Sequence, residues 1–352
     1  MEIGIIDGDL IYNNLRLNFP NLACMKLSQY HKNKGDNVDL ITDINKKIDY
    51  DKVYISKVFT KTPDPCIKTV SSKTVVIRGG SGFFYDKAPA LPCNIEHSAP
   101  DYSLYKNCCS YTSNKDFFGC DIGYTSRGCF RRCPFCINRN SRGSVIHSDP
   151  AEFVADCNKK ITLLDDNVFS CKEWRSIFEK LQATGKPFTY KQGLDERLLD
   201  EQKAKILFSS KWHGFYTFAF DNIKDMNLIK EKTKLIHKYR HKNEVRFYVL
   251  SGYPSASIED IKTVLIRIGF LRSQGFFPYI MRFETVYNSQ FNGIYTLLAS
   301  WCNQPGFFRN CSLDDFNDLN AKNNRKSINK YFEQLRKEVP EYKNYIGINF
   351  NK

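Results

Sequence analysis

The sequence predicts an α/β protein: a parallel, Rossmann-like sheet first, a second series of strand–helix units after it, and a helical tail. Three observations carry this. Short apolar strand patterns alternate with helical patterns and glycine-rich turns over residues 1–98. From Asp121 to Gly306 six further strand–helix repeats follow. No run of eighteen apolar residues interrupts either series, so no segment reads as a membrane span.

In order along the chain, Ile3–Ile6 reads as a short buried strand and Asn21–Lys34 as an amphipathic helix stopped by Gly35. Val38–Thr42, Val53–Val58 and Thr74–Ile77 are further strands, the last leading into Gly79-Gly80-Ser81-Gly82. Strands spaced this way pair in parallel, and their ligands sit at the carboxyl ends. In the second series the strands are Asp121–Thr125, Ile161–Leu164, Pro187–Lys191, Phe215–Phe220, Glu244–Leu250 and Phe277–Arg282. Helices are expected near Pro150–Cys157, Lys172–Thr184, Glu196–Ser209, Met226–Tyr239, Ile258–Ser273 and Asn292–Trp301. In the fifth of these, Ile258, Ile261, Val264, Leu265, Ile268 and Leu271 recur at helical spacing, as one buried face requires. Beyond Gly306 the chain turns polar and helical, with Ile328, Tyr331, Phe332 and Leu335 on one apolar face. The expected division is a domain over 1–98, a connector over 99–119, a second domain over 120–306 and a helical extension over 307–352.

The 352 residues carry a formal charge of +14, which favours anionic substrates or nucleic acid as partners. The basic residues are spread widely, and a Lys-rich solvated surface accounts for much of the excess. The thirteen cysteines are odd in number and sit in a large chain, which fits a reducing cytoplasmic setting better than a disulfide framework. Met1–Asp7 reads as a strand rather than a secretory leader.

The most specific feature is Thr125-Ser126-Arg127-Gly128-Cys129-Phe130-Arg131-Arg132-Cys133-Pro134-Phe135-Cys136. Its C-x3-C-x2-C spacing puts three thiols on one loop with no fourth cysteine nearby. Iron–sulfur cubanes usually take four thiolates and structural zinc four ligands, so a triplet implies a cluster with one iron open to a substrate. A second cluster on Cys93, Cys108, Cys109 and Cys120 is not expected, since no C-x2-C pair occurs among them.

On this loop, with its aromatic Phe135, the chain resembles the radical S-adenosylmethionine superfamily. The resemblance implies a 4Fe-4S cluster held by Cys129, Cys133 and Cys136, with S-adenosylmethionine on the unique iron. It also implies a partial (β/α)6 TIM-like barrel, since six units are too few for a closed eight-stranded one. An external electron donor of the flavodoxin or ferredoxin type goes with it. Thr74–Gly80 and the connector Ala99-Pro100-Asp101-Tyr102-Ser103-Leu104 resemble the cobalamin-binding domain of some members, a domain that either binds cobalamin as a cofactor or, the favoured reading here, only shapes the substrate entrance; in both cases Gly79 and Gly80 are expected to face the cavity between domains. Asp7-Gly8-Asp9-Leu10-Ile11-Tyr12 departs from that subgroup, having no histidine to ligate cobalt.

The resemblance also nominates residues at the strand ends. Asp165 and Asp166, which sequence does not separate, are expected to receive the cofactor's ammonium. Lys191 or Arg197 is expected to pair with its carboxylate, and Gln192 or Asp195 to bind its ribose. Asp221 and Ser251 follow the next two strands. The activity implied is C–H modification by a 5′-deoxyadenosyl radical, methyl or methylthio transfer among the outcomes. The competing reading is a non-catalytic iron–sulfur or zinc module that binds nucleic acid through a basic surface.

Overall fold

Parallel pairing organises the main sheets. The computed structural model describes residues 1–12, 19–108, 117–240, 244–323 and 325–347. Cys109, with the rest of 109–116 in the connector, lies outside the described residues. The chain divides into two compact units, Met1–Lys191 and Gln192–Lys352.

In the first unit, β1 (Glu2–Asp7), β2 (Asn37–Leu40), β3 (Lys52–Ser56) and β4 (Val75–Gly79) form one parallel sheet in the order β2-β1-β3-β4. Helix Leu22–Asn33 crosses from β1 to β2. It begins where Asn21 accepts from the Ala23 and Cys24 amides and ends just before Gly35, whose φ is 81°. Ile3 and Ile5 pack with Cys24, Leu27 and Ile95 on one face, while Ile6, Val53 and Ile55 meet Ile44 and Ile48 on the other. That second cover is irregular chain. Asp43 and Asn45 turn the β2–β3 connection, and Pro63 and Pro65 keep the β3–β4 connection from becoming a helix.

The same unit contains β5 (Cys120–Gly123), a two-stranded antiparallel ribbon of β6 (Ser126–Arg127) and β7 (Val145–Ile146), then β8 (Lys160–Leu163) and β9 (Phe188–Tyr190). β5, β8 and β9 form a parallel sheet in that order. Helix Trp174–Ala183 crosses from β8 to β9 and buries Phe178 among Phe169, Trp174, Phe188 and Tyr190. The helix expected over Pro150–Cys157 shrinks to a single 3-10 turn, Pro150–Glu152. The buried Asp121 carboxylate takes the Ala155 amide and the Asn158 side chain at 3.0 and 2.9 Å, drawing the backbone out of a helical path.

The second unit holds a parallel sheet of β10 (Tyr216–Ala219), β11 (Val245–Ser251) and β12 (Phe277–Arg282), in that order. Helices Glu201–Ser209, Met226–Tyr239, Ile258–Ser273 and Asn292–Cys302 alternate with these strands. Ser257 starts the third by accepting from the Asp260 amide, and Ile261, Val264, Leu265, Ile268 and Leu271 are fully buried along it. The element expected over Glu196–Ser209 is two pieces. A 3-10 turn at Glu196–Leu198 stops, and Asp200 caps a new helix from Glu201. The tail is helical: Lys326–Glu338 buries Ile328, Phe332 and Leu335 and lies against Asn292–Cys302, and Tyr342–Ile346 lies against Ile258–Ser273. The protein is thus mixed α/β with parallel sheets, and no helix among the described residues is long and apolar enough to cross a membrane.

Candidate functional site

All three cysteines of the triplet lie on one excursion between β6 and β7. The ribbon pairs Ser126 with Ile146 and Arg127 with Val145, so the chain leaves and returns at one place. Inside it the two limbs touch backbone to backbone. Gly128, at φ 95°, sits so close to Gly143 that an added Cβ would lie 2.1 Å from the Gly143 carbonyl oxygen. The Cys129 amide donates to Ser141 Oγ at 3.1 Å, and Ser141 Oγ donates to the Gly143 carbonyl at 3.0 Å. The Cys136 amide closes a turn on the Cys133 carbonyl at 2.9 Å.

The three cysteines are half-buried, and two of their sulfurs receive N–H groups. Cys129 Sγ accepts from the Arg131 amide and from Asn167 Nδ2, both at 3.4 Å, and Cys136 Sγ accepts from the Asn138 amide at 3.4 Å. Such donors stabilise thiolate character and tune thiolate-bound clusters. No disulfide forms among the described cysteines. Among the described residues no three His, Cys, Asp or Glu side chains converge as for a metal ion, so the thiols share a loop without being drawn to one point. By donor chemistry, three thiols on one loop, two of them with N–H bonds to sulfur, suit a soft, thiolate-held group.

Asp165 and Asp166, just beyond β8, have different surroundings. Asp165 is 1% exposed and holds the start of the loop: its carboxylate accepts the Thr125 and Ser126 amides at 2.9 and 2.7 Å and both of their hydroxyls. Burial pushes its pKa up to about 6, against the pull of those four donors. Asp166 is half-buried and accepts the Gly128 amide at 2.7 Å and Asn138 Nδ2 at 2.6 Å. The pair therefore staples the loop on both sides of Cys129. A carboxylate offers about four lone-pair sites, so Asp166 keeps room for another donor while Asp165 is saturated.

The glycine turn after β4 is packed by Lys57 at Gly80 and Gly82 but not at Gly79. At Gly80, φ 98°, a Cβ would meet the Lys57 carbonyl oxygen at 2.3 Å, while Gly79 faces open space. The close approach that glycine permits here is to the chain's own backbone. The segment beyond this turn reaches the cysteine loop, where Asn140 Nδ2 donates to Asp86 at 2.6 Å. Within the connector, Asp101 binds Ser28, Lys32 and Ser103, and Tyr102 OH accepts the Ile122 amide and donates to the Phe153 carbonyl.

Lys191 ends the first unit, its ammonium 5.3 Å from the Phe117 ring centroid, and Gln192 is exposed. The remaining nominated residues belong to the second unit and make bonds within it. Asp195 accepts Arg197 Nε at 2.8 Å. Asp221 accepts the Leu250 amide at 3.3 Å, and burial pushes its pKa up to about 6 despite Arg267 nearby. Ser251 Oγ donates to the Met281 carbonyl at 3.2 Å. Arg267, 2% exposed and not singled out by sequence, ties this end together through the carbonyls of Phe220, Asp221 and Leu250.

Glu196 was equally hidden in the sequence. It is 2% exposed, it accepts the Ala219 amide at 3.1 Å, and burial followed by the neighbouring Asp195 pushes its pKa from 4.5 up to about 8. The folded protein therefore keeps a proton that the unfolded chain releases above pH 4.5. Stability falls as pH rises from there to about 8 and then levels. Glu196→Gln cannot ionise, and it is expected to be more stable than the parent at pH 9 by on the order of 3–5 kcal/mol, with little gain at pH 5. Melting temperatures of both proteins at the two pH values decide it; an equal difference at both would show that ionisation plays no part. No protein-family model matches the chain, and no curated protein matches it in sequence.

Proposed function

We propose that this protein is a radical S-adenosylmethionine enzyme. The observation that carries the reading is the C-x3-C-x2-C excursion, with N–H groups on two of its sulfurs and adjacent carboxylates, Asp165 and Asp166, fixing its backbone. Cys129, Cys133 and Cys136 are the ligands of a 4Fe-4S cluster. When bound, that cluster supplies the electron that splits the sulfonium C–S bond of S-adenosylmethionine and yields a 5′-deoxyadenosyl radical for C–H modification. Asp165 fixes Thr125 and Ser126, and Asp166 holds Gly128 and offers its remaining lone pairs to the cofactor's ammonium. Lys191 and Gln192, at the end of β9, are assigned to the cofactor's carboxylate and ribose. Asp195, Arg197, Asp221 and Ser251 keep the order of their strand ends through the bonds they already make. The fold that goes with the reading is a Rossmann-like domain followed by a partial (β/α)6 barrel, whose strands are β5 and β8 to β12. The glycine turn is packed by Lys57, and no step is assigned to cobalamin.

The test is anaerobic reconstitution of the full chain with iron and sulfide, followed by metal analysis and incubation with S-adenosylmethionine and a strong reductant. About four irons per chain and release of 5′-deoxyadenosine are expected. One zinc per chain and no cofactor cleavage would instead make the loop a structural zinc module.

A further inference from the structure

The surface around the cysteine loop has a composition unlike the rest of the chain. Between Asp121 and Asp149 there are five basic residues, Arg127, Arg131, Arg132, Arg139 and Arg142, and no Asp or Glu. All five are arginine, although lysines outnumber arginines 35 to 17 along the chain, together the 52 basic residues. A solvated face has no reason to exclude lysine. The planar guanidinium fork is favoured where phosphate is bound bidentately or where a ring is stacked.

The structure exposes four of these groups and leaves three of them without an acidic partner among the described residues. Arg127 is exposed but committed, pairing with Glu96 at 3.3 Å and lying 3.9 Å over the Tyr124 ring. Arg132, Arg139 and Arg142 are exposed and make no ion pair with any described acidic side chain. Arg132 holds a left-handed φ of 49°, a conformation that disfavours a residue with a Cβ, so glycine would sit there with less strain. Phe130, 47% exposed, carries the Arg131 guanidinium 4.8 Å from its ring centroid. The Cys129–Ser141 and Gly128–Gly143 contacts hold the two limbs that bear these residues together.

We infer that this arginine collar, with Phe130 as a stacking platform, is a binding surface for single-stranded nucleic acid. Guanidinium groups spaced along an exposed loop follow a phosphate backbone, and an exposed ring beside them offers a face to a base. An acidic protein would satisfy the charges but has no use for a base-sized ring stacked with arginine. The inference stands on the arginines and Phe130, and it holds whichever metal the neighbouring thiols bind. Read together with the proposed activity, it makes a nucleic acid the substrate class.

The experiment is fluorescence anisotropy of the full chain with a labelled single-stranded oligonucleotide, over a range of salt concentrations. The variants are the triple Arg132→Gln/Arg139→Gln/Arg142→Gln, its Arg→Lys counterpart, and Phe130→Ala, each checked by its melting temperature. These side chains are exposed or half-exposed, so folding is expected to be unchanged. The parent is expected to bind with a negative log–log salt slope. The triple Gln variant should lose about 2 units of that slope, at about 0.7 per phosphate contact, and the Lys variant should recover it. Phe130→Ala should weaken the oligonucleotide by about tenfold or more while leaving inorganic polyphosphate unaffected. Parent-like binding by the triple Gln variant would overturn the inference. So would polyglutamate competing as well as the oligonucleotide with no effect of Phe130→Ala, which would make this face a dock for an acidic protein.

Discussion

Replacing any one of Cys129, Cys133 and Cys136 by alanine is expected to abolish both iron retention and cofactor cleavage. Under the proposed assignment three thiolates are the protein's whole hold on the cluster, and two cannot keep it against loss to solvent chelators. Iron should fall from about four per chain to well under one, and 5′-deoxyadenosine should disappear with it. The controls are Cys171→Ala and Cys302→Ala. Burial pushes both thiols' pKa values up, and Cys302 is 1% exposed, so neither is poised as a thiolate ligand. Both variants should keep their iron, with Cys302→Ala losing some stability to the small cavity. A triplet variant with full iron content would sink the cluster assignment. Loss of iron in the control variants as well would point to a general collapse of the fold rather than to ligation.

Much of the fold could be read from periodicity alone. Ile3–Ile6 and Phe277–Arg282 lie on observed strands and Val53–Val58 overlaps one that ends at Ser56, because a buried parallel strand writes a continuous apolar run. Ile258–Ser273 was equally legible, since its apolar residues keep one helical face and Ser257 provides the cap. What escaped was decided by side chains reaching across the structure. Nothing near Pro150 announces that Asp121 will take the Ala155 amide and end the helix after one turn. The ribbon of Ser126–Arg127 with Val145–Ile146 is two residues long on each side, too short for any period to show. Gly80 was expected to face a cavity, because sequence cannot tell whether the backbone it admits belongs to a ligand or, as here, to Lys57. The two aspartates after β8 read as one signal, whereas burial separates them.

That separation gives the last expected result, a contrast between Asp165→Ala and Asp166→Ala. Removing the Asp165 carboxylate leaves two amides and two hydroxyls of Thr125 and Ser126 without their acceptor in a buried place. Each unsatisfied buried donor costs about 1–3 kcal/mol, while relief from holding a charge in the interior offsets part of the sum. A net loss on the order of 3–5 kcal/mol is expected, or roughly 10 °C in melting temperature. The loop should loosen with it, so iron content falls although no ligand has been touched. Asp166 is half-buried, and water can replace it at Gly128 and Asn138, so Asp166→Ala should melt within about 2 °C of the parent. Its effect should appear in cofactor affinity. A charge-assisted hydrogen bond to the ammonium contributes about 1.5–3 kcal/mol, or roughly ten- to a hundredfold in Kd. Thermal melts, iron analysis and S-adenosylmethionine titration of the two variants distinguish an anchor from a ligand. If Asp165→Ala melts with the parent, the four bonds to its carboxylate are not what holds the loop. If Asp166→Ala binds the cofactor as the parent does, both carboxylates serve only to shape the backbone that presents the three thiols.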